Sequence, residues 1–177
     1  MKTKHLNIKI EGISPLLMHR FPLEPVTGFD KLTPEEQCEI SAYRTPDKKL
    51  YIPGINIQRA LISGATYVKG KGRASLAKPA AACMLVPQEH IILDNQSYTI
   101  DSRAVVNPST KGRIVRHRPK LEAWRATFPL DYDPELISAA QVREIVDLTG
   151  IRVGLLDFRP ETKGPFGRFK VIKWEDV

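Results

Sequence analysis

Side chains that bind metals are scarce in this sequence. Cys38 and Cys83 are its only cysteines, and they lie too far apart in the chain for a zinc knuckle. The four histidines are scattered. We therefore predict no structural metal site, no disulfide framework and no cofactor.

Long apolar runs are also missing. No segment approaches the roughly 20 apolar residues that a membrane span requires. The first ten residues alternate charged and apolar side chains and lack the apolar centre of a signal peptide. We expect a cytoplasmic protein with two reduced thiols and no membrane partner.

Acidic residues are rare in the middle of the chain. Residues 48–130 contain 14 Lys and Arg against 4 Asp and Glu, whereas residues 1–47 and 131–177 carry formal net charges of −1 and −2. Positive charge concentrated in one segment is typical of a surface that binds a polyanion. A solvated basic surface without a partner is the alternative interpretation.

Hydrophobic periodicity and turn residues predict a small set of elements. Alternation of Leu6, Ile8 and Ile10 with polar residues predicts the first strand. The predicted elements are a strand over 4–11, a short strand over 50–52, a helix over 55–67, a strand over 84–93 broken at Pro87, its hairpin partner over 98–106, extended chain over 113–117 and 121–130, a helix over 134–149 capped by Asp133, and a last strand over 168–174. In its essentials this order is β, insertion, α, β, β, α, β, which predicts an α+β, ferredoxin-like (RRM-like) antiparallel sheet with two helices on one face. We predict one domain over residues 1–177, with one open sheet face left for a ligand.

Residues 20–49 form a long insertion after the first strand. Prolines break the segment repeatedly, and Thr33 followed by Pro34 predicts one short helix inside it. Because this segment is low in apolar residues, we expect it to be labile and to contribute little to the stability of the domain. Its slightly acidic balance would attract the basic middle of a second copy.

The densest basic run lies between residues 111 and 125. Guanidinium groups suit phosphate because each offers a planar, charged fork of donors. The candidate phosphate contacts here are Lys111, Arg113, Arg116, Arg118, Lys120 and Arg125. Trp124 would either stack on a base or pack in the core, and its Ala, Phe and Leu neighbours on the same face favour the core.

Two loops add further candidates. The glycine-rich loop 154–168 can bring backbone close to phosphate, but it lacks the P-loop lysine pattern. Its candidate contacts are Phe158, Arg159, Lys163, Phe166 and Arg168. A second, flexible basic loop supplies Lys69, Lys71 and Arg73.

Evidence for catalysis is thin. No Ser-His-Asp or Cys-His spacing stands out, and the only paired carboxylates, Glu35 and Glu36, point apart on a helix. His19 beside Arg20 could act as a general acid or base in metal-free RNA cleavage. We predict a protein that is not an enzyme, with this cleavage as the alternative.

Three segments together resemble a known family. Residues 8–18 (IKIEGISPLLM) resemble the first strand of the RAMP superfamily, the RNA-binding subunits of CRISPR effector complexes. Residues 50–61 resemble the superfamily's Pro-Gly-Ser-Ser-Leu-Lys-Gly segment, which opens its first helix, and residues 154–168 resemble its glycine-rich loop. The serines of that motif are replaced here by Ile55 and Asn56, and its last glycine by Arg59.

The resemblance implies a ferredoxin-like core, RNA binding, head-to-tail assembly along a guide RNA and contact with other effector subunits. It also implies that residues 20–49 correspond to a thumb. We further select His19, Arg20 and Arg59 as candidate nucleic-acid contacts. We predict a sequence-independent binding protein for single-stranded nucleic acid, with RNA favoured, that forms a homo-oligomer along the strand. The alternatives are a metal-independent endoribonuclease of the same superfamily, a phage or plasmid relative that binds single-stranded DNA, and a structural subunit whose basic surface meets an acidic protein.

Overall fold

The computed structural model describes residues 2–177, which contain nine β-strands and four α-helices. The strands are Lys4–Gly12 (β1), Leu16–Leu17 (β2), Tyr51–Pro53 (β3), Met84–Leu85 (β4), His90–Ile92 (β5), Thr99–Val106 (β6), Arg113–Leu121 (β7), Arg125–Tyr132 (β8) and Phe169–Asp176 (β9). The helices are Pro34–Ser41 (α1), Gly54–Gly64 (α2), Ala77–Cys83 (α3) and Ala139–Leu148 (α4). Short 3-10 turns occur at Phe29–Lys31, Ala65–Tyr67 and Pro160–Thr162, and a π-helical turn at Thr149–Val153.

The main sheet has the strand order β4-β8-β1-β9, with every neighbouring pair antiparallel. With α2 between β1 and β4, and α4 between β8 and β9, this is the strand order of a ferredoxin-like βαββαβ unit. The predicted fold class is therefore confirmed. The prediction succeeded because β1 and β8 carry the strict alternation of a half-buried strand.

One face of this sheet and the two long helices form the core. Ile8 and Ile10 of β1 and Phe128 of β8 are fully buried, as are Val142 and Ile145 of α4. Trp124 is also buried, and its Nε1 donates a hydrogen bond of 2.9 Å to the carbonyl of Ser14. The predicted core role of Trp124 is confirmed.

Helix α4 begins later than predicted. Ser138, not Asp133, is its N-cap, and the Ser138 hydroxyl and the Gln141 side chain form a capping box. The Asp133 carboxylate instead accepts a hydrogen bond of 3.0 Å from the amide of Glu135, within a separate turn. Two good capping residues lie five positions apart, and the second one starts the helix.

The pairing predicted for residues 98–106 is wrong. Strand β6 forms its hairpin with β7 through the turn at residues 107–112, and β5 pairs instead with β3. The Asn107 side chain accepts a hydrogen bond of 2.9 Å from the amide of Ser109, and Lys111 has a φ of 58°. The β6–β7 hairpin is thus a second insertion, placed between β4 and β8, and β2 joins it to form a three-stranded sheet.

The first insertion is more firmly packed than predicted. Thr33 caps α1 as expected, but α1 lies against β7 and β6 and buries Cys38, and Ala42 after it is also buried. Tyr98 precedes β6, and its hydroxyl donates a hydrogen bond to the Glu39 carboxylate on α1. The expectation of little burial is wrong for residues 33–49. It remains a prediction for residues 20–31, where Phe21 and Leu23 are among the most exposed apolar side chains.

Helix α3 was not predicted. Its alanines favour helix, but Pro79 and the short length of the segment hide the pattern. Within residues 2–177, no helix is both long enough and apolar enough to span a bilayer.

Candidate nucleic-acid interface

A groove runs along α2, between this helix and the glycine-rich loop. It consists of two adjoining clefts of about 190 Å³ and about 510 Å³ that share Asn56 and Arg159 as walls. We call it the α2 groove. Its other lining residues are His19, Tyr43, Leu156 and Asp157 in the first cleft and Arg59, Ala60, Ile62, Ser63 and Glu161 in the second.

The glycine-rich loop is a rigid wall. Its ends are joined by a hydrogen bond of 3.0 Å from the Leu155 amide to the Gly167 carbonyl. Gly167 has a φ of 74°, and a Cβ at this position would lie 2.0 Å from the Leu155 carbonyl oxygen. Only glycine fits here without moving the backbone, so the close approach of the two loop ends depends on this residue.

Two non-glycine residues of the loop also have left-handed backbone. Leu156 and Phe158 have φ values of 60° and 47°, a conformation that costs roughly 1–2 kcal/mol for a residue with a Cβ. The Leu156 amide donates to Asn56 Oδ1 over 3.1 Å, and the Phe158 carbonyl accepts from the Phe166 amide over 3.1 Å. These bonds hold the loop in its strained conformation and fix it to the first turn of α2.

Arg159 is fixed on the loop side of the groove. Its Nη1 donates to the Leu156 carbonyl over 2.9 Å, and its Nε and Nη2 donate to the Glu161 carboxylate over 3.0 and 2.6 Å. Burial raises the pKa of Glu161, but hydrogen bonds from Ser63 and Arg159 outweigh it, so that the pKa lies below its ordinary value. Arg59 faces Arg159 across the groove, is exposed, and forms no ion pair within residues 2–177.

His19 lies at the other end of the groove. Its Nδ1 is 3.7 Å from the Asp157 carboxylate, which also accepts a hydrogen bond from Arg118. Burial raises the pKa of Asp157, but the neighbouring His19 and Arg118 overcome this effect and hold the pKa below its ordinary value. The carboxylate therefore stays charged, and it anchors Arg118 behind the groove wall.

Strand β7 does not present its arginines as one open row. Arg118 is 93% buried, pairs with Asp157, and has an Nε without a hydrogen-bond partner among the described residues. Arg116 pairs with Asp30, and its guanidinium carbon lies 5.0 Å from the centre of the Phe29 ring. Both side chains point towards the first insertion and the glycine-rich loop, so they join parts of the fold.

Other predicted contacts lie outside the groove. Lys120 pairs with Glu122 over 2.8 Å, and Arg125 Nε donates to Glu11 over 2.7 Å on the open face of the main sheet. Several candidates are exposed without lining the groove: Arg113 on the distal half of β7, Lys111 in the hairpin turn, Lys69, Lys71 and Arg73 in the loop after α2, and Lys163 and Arg168 at the far side of the glycine-rich loop. Arg20 is half-buried, and its charge acts on Tyr43, so it lies near the His19 end.

The open face of the main sheet is unlike the base-stacking face of an RNA-recognition domain. Its cations are largely neutralised, as in the pairs Lys9–Asp94 and Lys173–Glu175 at 3.0 and 2.8 Å. Within residues 2–177 this face has no exposed Phe, Tyr or Trp side chain, and the exposed ring of His5 is bonded to Asp131 over 2.8 Å. The expectation that the open sheet face holds the ligand in the manner of those domains is not supported.

Phe158 and Phe166 form an aromatic pair under the hairpin. Their ring centroids are 6.0 Å apart, and the Arg103 guanidinium lies 4.8 Å from the centre of the Phe166 ring. Phe166 is buried, so it supports the loop from behind and does not face the groove.

The residues selected from the sequence therefore separate into those at the α2 groove and those that lie outside it. His19, Arg59 and Arg159 line one groove, and Arg20 and Arg118 support its His19 end. Sequence reasoning did not select Asn56 or Tyr43. The sequence did contain a signal for Asn56, because it is the second residue after the Pro53–Gly54 pair at the start of α2. Tyr43 reaches the groove only through the folding of the insertion.

Comparisons with known proteins give a structural relative. No family model and no curated protein matches the sequence. The structure is similar to a chain from the cryo-EM structure of the Type III-B Cmr-beta bound to cognate target RNA, with a TM-score of 0.57 and 11% sequence identity. The match covers 99% of this chain and 61% of that chain. At this identity the likeness shows the ferredoxin-like fold and no more.

Proposed function

We propose that this chain binds the backbone of single-stranded RNA in the α2 groove, as a RAMP-type subunit of a CRISPR effector complex. The single observation that carries the proposal is Arg59, an exposed arginine without an ion pair within residues 2–177, which shares a groove with Arg159 on a loop wall fixed by hydrogen bonds. Cations that line a groove can follow a phosphate chain without recognising bases. Arg59 is free to do so, whereas Arg159 would exchange part of its pair with Glu161 for the phosphate. The structural relative is one chain of a complex bound to cognate target RNA, which supports RNA as the ligand.

Assembly along the strand is part of this proposal. Phe21 and Leu23 are 85% and 92% exposed, on a segment that also carries Glu24. Copies bound side by side on one RNA would bury these apolar side chains and bring the acidic segment close to a neighbour's basic surface. Contact with other effector subunits would use the same kind of surface.

The binding test is a salt titration with labelled RNA of mixed sequence. We expect affinity to fall linearly on a log–log plot as salt rises, because released counterions drive binding. A short RNA with room for one protein copy should bind that copy without cooperativity. A long RNA should bind several copies cooperatively. A flat salt dependence or a preference for duplex would argue against the proposal, and equal intrinsic affinity on both lengths would argue against assembly.

A metal-independent endoribonuclease is the second candidate. The observation in its favour is His19, which shares a cleft with Asp157 and Tyr43 and is close enough to a carboxylate to be oriented by it. We nevertheless propose a binding protein without this activity, because the Asp157 carboxylate is also committed to Arg118.

Incubation with RNA in EDTA separates the two candidates. We expect intact RNA with both the wild type and His19→Ala, and unchanged RNA binding at low salt. A cleavage product that the wild type makes and His19→Ala does not make would establish the nuclease instead.

A further inference from the structure

The exposed side of α2 continues beyond the groove. Arg59 and Ser63 line the groove, and Tyr67 follows four residues after Ser63, in the 3-10 turn that extends the helix. The 3-10 turn follows Gly64 directly, so Tyr67 lies beyond Ser63 at the C-terminal end of the helix. It is 48% exposed, which is unusual for a tyrosine that serves only to fill a core.

The opposite wall continues in the same direction. The π-helical turn Thr149–Val153 packs against both α2 and the 3-10 turn that carries Glu161. The packing on α2 is close, because a Cβ on Gly64 would lie 1.9 Å from Thr149 Oγ1. Arg152, in this turn, places its guanidinium carbon 4.9 Å from the centre of the Tyr67 ring. The two walls therefore end in an aromatic ring with a cation over it.

We propose that Tyr67 is a base-stacking site at the end of the α2 groove, with Arg152 as its positioning residue. The inference rests on the proposed function and deepens it, since it adds a contact to a nucleobase to a groove that otherwise offers contacts to phosphate. Tyr67 is 48% exposed and Arg152 lies over one face of its ring, so a base would stack on the other face, independently of sequence. The guanidinium over the ring is attracted to its π-system and holds its orientation.

The basic loop after α2 completes the site. Lys69, Lys71 and Arg73 begin two residues beyond Tyr67 and are exposed. A nucleotide whose base lies on Tyr67 has its phosphate within reach of such long cationic side chains. This location gives a role to a loop that lies outside the groove proper, and it extends the path of the RNA from His19 along the whole of α2.

The test compares Tyr67→Ala and Tyr67→Phe with the wild type on two ligands, oligouridine and an abasic oligomer with the same number of phosphates. Tyr67→Ala should weaken binding of oligouridine by roughly 5- to 150-fold, the range that stacking of one base supplies. Tyr67→Phe, which keeps the ring, should bind as the wild type does. All three proteins should bind the abasic oligomer equally, and the salt slope should be the same for all because no phosphate contact is lost.

The outcomes separate this inference from the proposed function. If the wild type binds oligouridine with a steep salt dependence and Tyr67→Ala does the same with equal affinity, the stacking site is wrong and the groove proposal stands. An equal loss on the abasic oligomer would also overturn stacking, because the defect would not involve the base. If the wild type binds neither ligand, both proposals fail.

Discussion

Replacing Arg59 and Arg159 together by glutamine is expected to remove most of the RNA affinity that the α2 groove supplies. Each phosphate contact to a single strand contributes about 0.7 to the slope of log affinity against log salt. Losing two contacts should therefore lower the slope by about 1.4 and weaken binding about 25-fold at ~0.1 M salt, relative to ~1 M. Glutamine removes the charge but keeps a donor near the position of Arg159 Nε, which bonds Glu161. The Leu155–Gly167 and Leu156–Asn56 hydrogen bonds remain, so the glycine-rich loop should stay in place.

The matched control removes two positive charges outside the groove. Lys4 lies at the start of β1, and Arg143 lies on α4, where it pairs with Asp147 over 2.9 Å and stacks over Trp174. Lys4→Gln with Arg143→Gln changes the net charge by the same amount, so any general electrostatic effect appears in both proteins. If both double variants lose the same affinity, or if the groove variant keeps the wild-type slope while folded, the α2 groove is not the path of the RNA.

The main sheet and its two helices could be predicted because their signals are local. The alternation in β1 and the Pro53–Gly54 start of α2 depend only on residues close in sequence. The pairing of β6 could not be predicted in the same way. Turn residues precede it at 94–97 and follow it at 107–112, and the choice between two hairpins depends on which strand the rest of the fold places beside it.

The cations of the site could be found in the sequence by residue type. Whether each one is free to contact phosphate, or is already paired with an acid, could not be predicted. Arg116 is 86 residues from Asp30, Arg118 is 39 residues from Asp157, and Arg125 is 114 residues from Glu11. The fold alone brings these acids to the arginines. As a result the densest basic run contributes least to the groove, whereas Arg59, which stands alone in the sequence, lies in its wall.

The fold also explains why residues 33–49 are not a loose loop. The expectation of little burial came from the small number of large apolar side chains in this segment. Helix α1 instead buries small side chains, Cys38 and Ser41, against the β6–β7 hairpin, and Gln37 Oε1 accepts a hydrogen bond of 3.4 Å from the His117 amide. Small buried residues allow close approach of a helix to a sheet, which local hydrophobicity does not reveal.

Arg118→Ala is expected to destabilise the protein strongly, although it removes a residue from the most basic stretch of the chain. The substitution leaves Asp157 without its buried partner and empties the space of a long side chain that is 93% buried. Breaking a buried pair from one side costs several kcal/mol. Because 30% of the Asp157 side chain is exposed, water can replace part of the loss, and we expect a decrease of about 2–4 kcal/mol in the free energy of unfolding. At about 2–4 °C per kcal/mol for a chain of this length, the melting temperature should fall by about 5–15 °C.

Arg116→Ala provides the matched comparison, on the same strand and two residues away. Its partner Asp30 is 57% exposed, and a pair of this kind contributes less than about 1 kcal/mol, so its melting temperature should fall by no more than ~4 °C. Thermal unfolding of the two variants, together with Asp157→Ala alone and Arg118→Ala combined with Asp157→Ala, measures the coupling between Arg118 and Asp157. The combined variant should be less destabilised than the sum of its parts, since neither charge is then left alone. Equal melting temperatures for Arg116→Ala and Arg118→Ala would show that Arg118 is not a structural residue and would return it to the set of candidate phosphate contacts.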